Sequence, residues 1–126
     1  MINDNHSIDI QVQTAFLSEH SKPEQNRYVF SYTITIANTG SETAKLLSRH
    51  WLITDSNDRT QEVRGEGVIG EQPVLAPGES YQYSSGAIIE TAVGTMEGSY
   101  QMISESGIKF DAPIALFTLA QPSALH

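Results

Sequence analysis

The sequence predicts an all-β protein, an antiparallel β-sandwich of about seven short strands. In several segments apolar side chains recur at every second position, which is the periodicity of a strand with one buried face. Turn-forming residues separate these segments at intervals of about 8–15 residues, as in sandwiches and barrels. No segment has the i, i+3, i+4, i+7 apolar spacing that indicates a helix.

The N-terminal half contains three predicted strands. Residues 8–16 alternate apart from Thr14, whereas residues 18–26 are polar, contain a proline and are predicted to be a loop. Residues 27–40 alternate again, are rich in aromatic and β-branched side chains that suit a pleated surface, and end in an Asn-Thr-Gly turn. Residues 45–55 form the third strand. The apolar face of the first strand consists of Ile8, Ile10, Val12 and Phe16.

A tight hairpin is predicted between the third strand and a fourth at residues 59–65. If Asn57 and Asp58 are the two central residues of a primed turn, their positions fix the strand register. A four-residue loop, the alternative, would shift the pairing by two residues. The two-residue loop places Trp51 opposite Arg64 and Arg49 opposite Glu66.

The C-terminal half contains the remaining strands. Residues 74–85 include a Pro-Gly turn followed by alternating tyrosines, and residues 88–98, whose periodicity is mixed, are predicted to be a long connection. The last two strands are residues 99–104 and 108–120. Pro113 cannot donate to a strand ladder, so the final strand is expected at a sheet edge or broken there.

The chain is predicted to be one domain over residues 1–126, with loose tails at 1–6 and 121–126. Its 126 residues match the usual size of a single domain, and it contains no internal repeat or low-complexity run. The strand number and spacing are typical of an immunoglobulin-like or fibronectin type III-like sandwich.

Composition excludes several classes of function. The chain has no cysteine, which excludes disulfides, thiolate zinc sites and a thiol nucleophile. The N-terminus lacks the features of a secretory signal, and no segment approaches the ~20 apolar residues of a membrane span, so we expect a cytoplasmic protein without a membrane partner. A net charge of −8 repels phosphate backbones and argues against nucleic-acid partners.

The stretch "RGEGVIGEQP" at residues 64–73 contains the spacing G-x-G-x-x-G. A dinucleotide-binding motif needs a buried parallel strand before these glycines and a helix after them. The preceding residues are mostly polar, and Pro73 follows where a helix would have to continue. We therefore expect Gly65, Gly67 and Gly70 to permit a bulge or sharp bend. The alternative is a phosphate-binding nest with Arg64 as its cation.

No catalytic or metal site is predicted. The histidines His6, His20, His50 and His126 form no close pair, and no serine lies in a nucleophile motif. Without such a motif we expect no enzymatic activity, no resident metal and no cofactor.

The cluster Arg49-His50-Trp51 is the most unusual one in the chain. A tryptophan on the third strand of a sandwich is expected to be a core residue, which would place Arg49 near the rim of the sheet, within reach of Glu66. If that face is exposed instead, Trp51 and Arg64 could form a cation–π pair beside residues 65–70, the glycine loop. Clustered aromatic and arginine side chains are typical of binding hot spots. The candidate binding residues are Arg49, His50, Trp51, Arg64, Gly65, Gly67 and Gly70.

Nearly the whole chain from about Ile8 onward resembles the ApaG family. The resemblance is carried, in order, by "RYVFSYTITIANTG", "LLSRHWLITD", "EVRGEGVIGEQPVLAPGESYQYSSG", "GTMEGSYQM" and "FDAPIALFTLAQPSALH". Asp58 stands where a turn glycine is common in that family, and Ala115 where proline is frequent, so the hairpin tip and the last strand are expected to differ locally.

The resemblance implies a fibronectin type III-like sandwich and an interaction module. Related domains occur in some F-box proteins and in a protein that interacts with a replicative DNA polymerase. In bacteria the family is associated with cobalt resistance, magnesium efflux and neighbours that hydrolyse diadenosine tetraphosphate, and its glycine motif has prompted proposals of pyrophosphate binding. We expect the cobalt association to be indirect.

The sequence thus favours a non-catalytic binding module whose surface includes the glycine loop and the strand of Arg49. A protein partner is expected, and homodimerisation through a sheet edge is a plausible mode. The alternative function is nucleotide or pyrophosphate binding, including diadenosine polyphosphates, through residues 65–70.

Overall fold

The computed structural model describes residues 6–124 and is an antiparallel β-sandwich, which confirms the predicted fold class. Short 3-10 turns lie at Ser18–His20, Pro23–Gln25 and Pro122–Ala124. None of the helical segments within these residues has the length and hydrophobicity needed to cross a membrane. The eight strands in the described range are β1 (Ile8–Phe16), β2 (Tyr28–Asn38), β3 (Ala44–Asp55), β4 (Thr60–Glu66), β5 (Val74–Leu75), β6 (Ser80–Ile89), β7 (Val93–Ser104) and β8 (Lys109–Ala120).

The strands form two sheets. The small sheet has the order β1-β2-β6, and the large sheet has the order β4-β3-β7-β8, with β5 also paired to β3. Strand β4 is therefore one edge of the large sheet and β8 is the other. The position of Pro113 within β8 agrees with its expected place at a sheet edge.

The core lies between the inner faces of the two sheets, where alternate residues of each strand are buried. A hydrogen bond of 2.5 Å between the hydroxyls of Tyr83 on β6 and Tyr100 on β7 joins the two sheets inside this core. Burial raises the pKa of Tyr83 to about 12 and raises that of Tyr100 further. Both hydroxyls therefore stay protonated at neutral pH.

The hairpin between β3 and β4 has a different register from the predicted one. Asp58 adopts φ 62°, its amide donates to the Asp55 carbonyl, and the Asp55 amide donates to the Arg59 carbonyl. This is a three-residue loop in which a turn is followed by a left-handed residue. The Asp55 carboxylate stabilises it by accepting from the amides of Asn57 and Arg59.

The longer loop shifts the expected pairing by one residue. The pairs are Arg49 with Gly65, His50 with Arg64 and Trp51 with Val63. The predicted pairs, Trp51 with Arg64 and Arg49 with Glu66, were wrong. The observed register places Arg64 on the same face as His50 instead of beside Trp51.

Residues 88–98 were predicted as a long connection, and this was also wrong. They are the end of β6 and the start of β7, joined by residues 90–92 only. The mixed periodicity arises because Gly94 and Gly98 lie where neighbouring backbone comes very close. A Cβ built at Gly98 would lie 2.0 Å from the carbonyl oxygen of His50, and one at Gly94 would lie 2.7 Å from that of Thr54.

The tails predicted at 1–6 and 121–126 include residues 1–5 and 125–126, which lie outside the described residues. At the inner ends of these segments the chain makes contacts. His6 stacks on Phe110, with ring centroids 4.8 Å apart, and the Gln121 amide donates to the Ala92 carbonyl.

Candidate functional site

An open polar groove of about 540 Å³ crosses the outer face of the large sheet near the edge strand β4. Its walls come from four neighbouring strands, because outward-facing residues on β4, β3, β7 and β8 stand side by side in register. The lining residues are Ser48, Arg49, His50, Arg64, Gly65, Glu66, Ser99, Gln101 and Asp111.

Glu62, on β4 beside the groove, interacts with two of the charged or titratable residues that line it. One carboxylate oxygen of Glu62 lies 3.1 Å from His50 Nε2, and the other lies 3.6 Å from Arg64 Nε. The hydrogen bond with His50, followed by the charge of Arg64, lowers the pKa of the Glu62 carboxyl. The Arg64 side chain is nevertheless 68% exposed, so its guanidinium remains accessible to a ligand.

The floor of the groove is a chain of neutral hydrogen bonds. Ser48 Oγ donates to Gln101 Oε1 at 2.8 Å, and Gln101 Nε2 donates to Ser99 Oγ at 2.9 Å. These bonds orient the amide of Gln101 across the sheet.

Arg49 faces inward and holds the glycine loop against β3. Its Nη1 donates to the carbonyls of Glu66, at 3.1 Å, and Gly67, at 2.9 Å. The expected approach of Arg49 to Glu66 is therefore made to the backbone carbonyl. The guanidinium passes over Gly65, where a Cβ would lie 2.8 Å from Nη1, so the missing side chain of Gly65 gives Arg49 its path.

The second half of the glycine motif is a tight hairpin turn. The amide of Val68 donates to the Glu71 carbonyl at 2.8 Å, and the amide of Glu71 donates back to Val68 at 2.9 Å. Between them Ile69 has φ 42° and Gly70 has φ 80°, the signs that a type I′ turn requires at both central residues. A Cβ at Gly67 would lie 2.2 Å from the Glu71 carbonyl oxygen, so this position is closed to any side chain.

Ile69 is the functional candidate that sequence reasoning missed. It is 59% exposed at the tip of the turn, while its neighbour Val68 is completely buried and anchors the loop. A β-branched residue in the left-handed region is strained. The sequence shows two apolar residues, Val68 and Ile69, between Gly67 and Gly70. Which of the two points outward depends on the fold.

The seven predicted binding residues divide between surface and interior. Trp51 is 2% exposed and packs among Tyr32, Tyr100 and Phe117, as expected for a core tryptophan, and it shares no surface with Arg64. Arg49, which also lines the groove, and Gly67 hold the loop in place. His50, Arg64 and Gly65 line the groove, and Gly70 lies at the exposed loop tip.

Three backbone amides in and next to the motif are already engaged within the protein. Those of Gly67, Val68 and Glu71 donate to the carbonyls of Leu47, Glu71 and Val68. Among residues 6–124, no group of three or more His, Asp or Glu side chains could hold a metal ion.

A family model and relatives of full length identify one family. The ApaG domain model matches residues 18–104. Protein ApaG of Thiobacillus denitrificans is 60% identical over 96% of this chain and 95% of its own length, and that of Ectopseudomonas mendocina is 59% identical over the full length of both. A crystal structure from Bordetella pertussis, described as an ApaA protein, has a TM-score of 0.92 at 50% identity and covers 94% of this chain and 97% of that one.

Proposed function

The chain belongs to the ApaG family, and from this premise we propose that it is a non-catalytic binding module for a protein partner. The proposed surface, the β4 edge, consists of residues 62–66 and the hairpin turn at residues 67–71. The observation that carries the proposal is the position of Ile69, an exposed apolar side chain that the turn holds in a strained backbone conformation.

Backbone strain persists where the surrounding structure enforces it, and such strained residues cluster at binding sites. Here Val68 is buried, and two backbone hydrogen bonds close the turn. The turn therefore presents Ile69 to solvent in a fixed position. Fixing a contact residue in advance lowers the entropy cost of binding.

Strand β4 adds a second recognition element. In the part of the chain that the structure describes, β4 pairs only with β3, so its outer backbone groups can pair with a strand of a partner. Arg64 and Glu62 project from this edge, where they can pair with oppositely charged side chains of the partner.

A nucleotide or pyrophosphate ligand is the competing function. The engaged amides of Gly67, Val68 and Glu71 favour a protein ligand, because a phosphate nest needs amides that point at the anion. Titration of the 15N-labelled protein with ATP and with diadenosine tetraphosphate tests this alternative. Millimolar ligand that shifts the amide peaks of residues 65–70 would support it.

The protein-binding proposal is tested with the double variant Ile69→Asn, Arg64→Ala. Asparagine tolerates the left-handed conformation, so the turn is kept while the apolar tip and the free cation are removed. The matched control is Leu116→Asn, an equally exposed apolar residue, 56% exposed, on the opposite edge strand β8.

We expect affinity capture from lysate, followed by quantitative mass spectrometry, to recover partners with the wild type and the control. The double variant should lose them. Equal recovery with all three proteins would show that the β4 edge is not the partner surface.

A further inference from the structure

A second surface lies on the outer face of the large sheet, away from the β4 edge. Cross-strand pairing places Val74, Lys45, Ile103 and Lys109 in one row across β5, β3, β7 and β8. We call these four residues the lysine row. Apolar and basic side chains alternate along it.

The apolar members of the lysine row line a shallow groove of about 200 Å³. Val74 is 58% exposed, and Ile103 forms the opposite wall. Ile108, in the turn before β8, is 51% exposed. Single exposed apolar residues are ordinary on protein surfaces, but here Val74 and the partly exposed Ile103 line the same groove.

The two lysines form no ion pair with an acidic side chain of the described residues. Among residues 6–124, no carboxylate lies within 4.0 Å of either ammonium group, since the ion pairs involve only His6, His50, Arg59 and Arg64. Lys45 and Lys109 are also two of only three lysines in a chain of net charge −8. Two unpaired cations on either side of Ile103 thus form a local basic site on an acidic protein.

We propose that the lysine row binds an acidic amphipathic segment of a partner protein, in which two carboxylates flank an apolar side chain. Lys45 and Lys109 lie two strands apart, which is about 9.5 Å. Residues i and i+7 of a helix are separated by about 10.5 Å along its axis. A helix with acids at i and i+7 can therefore reach both lysines while its residue at i+3 or i+4 packs on Ile103.

The surrounding charges restrict where an acidic segment can sit. Glu105 lies at the rim of the groove, and Asp111 lies one row away on the same face. Both repel a carboxylate of the partner, and only over the lysines does an attraction offset that repulsion. The Debye length is about 8 Å at physiological salt, so more distant acids of the protein are largely screened.

Other occupants suit the site less well. Two lysines contribute about 1 kcal/mol each at an anionic membrane surface, which the remaining acidic surface opposes. A second copy of the chain would bring together two proteins that each carry a net charge of −8.

The test is selection of a displayed library of random 16-residue peptides on the wild-type protein, followed by fluorescence anisotropy with the enriched peptides. Enriched sequences should contain two acids flanking an apolar residue. The double variant Lys45→Glu, Lys109→Glu should bind them at least about tenfold more weakly, because attraction becomes repulsion at both contacts. The matched control Lys22→Glu, a lysine in the loop after β1, should bind like the wild type.

Three outcomes would overturn the proposal. These are no enrichment of the acid-apolar-acid pattern, equal binding by the double variant, and tighter binding of the protein to vesicles of anionic phospholipid than to any selected peptide. Dimerisation of the wild type that the double variant abolishes would assign the row to a second copy and would also overturn it. Amide spectra of each variant check its fold.

The lysine row is a different surface from the β4 edge, so the two proposals can be tested independently. The Lys45→Glu, Lys109→Glu variant retains Ile69 and Arg64, so partners that need the β4 edge should still be captured. Loss of peptide binding with retained capture, or the reverse, identifies which surface acts.

Discussion

The guanidinium of Arg49 lies directly over Gly65, where an added Cβ would stand 2.8 Å from Nη1 and 2.9 Å from Cζ. This contact lets Arg49 reach the carbonyls of Glu66 and Gly67. The first glycine of the G-x-G-x-x-G spacing therefore accommodates an arginine of the same protein.

Gly65→Ala should lower the free energy of unfolding by about 1–2 kcal/mol, because displaced Arg49 loses charge-assisted hydrogen bonds. The measurement is urea denaturation. In an Arg49→Ala background the same substitution should cost much less, and this non-additivity distinguishes the contact from a general strand effect. Gly86→Ala is the control, since a Cβ at Gly86 would approach only the Phe30 carbonyl, at 3.4 Å.

The two later glycines should differ in their tolerance of alanine. Gly67→Ala should lower the free energy of unfolding by at least about 2 kcal/mol. The added Cβ would lie 2.2 Å from the Glu71 carbonyl oxygen, and the φ of residue 67 is 62°. A Cβ at Gly70 would meet no atom within 4 Å, so Gly70→Ala should lower the free energy of unfolding by only about 1 kcal/mol, because of the positive φ. Thermal unfolding of both variants checks the ranking, and equal losses would contradict it.

Ile69→Asn should raise the free energy of unfolding by about 1 kcal/mol, because asparagine tolerates the left-handed conformation that strains isoleucine. Chemical denaturation measures the gain. A loss of stability would mean that the Ile69 side chain contributes packing, and it would remove the strain argument for the β4 edge.

Replacing one tyrosine of the buried pair should destabilise the protein more than replacing both. Tyr83→Phe leaves the Tyr100 hydroxyl buried without its partner, at a cost of about 1–3 kcal/mol. The double variant Tyr83→Phe, Tyr100→Phe removes both polar groups and should recover part of that loss. Equal or larger destabilisation in the double variant would show that the hydroxyls contribute independently.

The same pair predicts a loss of stability at alkaline pH. The pKa of Tyr83 is raised to about 12 in the folded state, against about 10 when unfolded. The folded protein therefore holds its proton more tightly, so this stability is present below about pH 10 and is lost as pH rises towards 12. Denaturation between pH 9 and 12 should show a shallower decline in the double phenylalanine variant, and identical declines would contradict the assignment.

The carboxyl of Glu62 should titrate below its ordinary range, and His50 should be the main cause. The hydrogen bond from His50 lowers this pKa more than the charge of Arg64 does. In 13C-detected titrations, His50→Ala should therefore raise the midpoint of Glu62 more than Arg64→Ala. The reverse order would show that charge rather than the hydrogen bond dominates.

The sequence by itself determined the fold class and most strand positions, because period-two alternation and turn residues are local signals. It favoured a core position for Trp51 but left an exposed face open. It also indicated correctly that the glycine motif bends the chain. The sequence did not predict the hairpin register, because the left-handed conformation of Asp58 makes the loop one residue longer than expected. The strands within residues 88–98 were not predicted, because Gly94 and Gly98 interrupt the apolar alternation where the backbone of β3 approaches closely.

Only the tertiary structure decided which side chains share a surface. Register brought His50 and Arg64 together and aligned Lys45, Ile103 and Lys109 across three strands, and the packing of the two sheets buried Trp51 between them. Pairing between strands far apart in the chain fixes such neighbours, and a shift of one residue reverses every face.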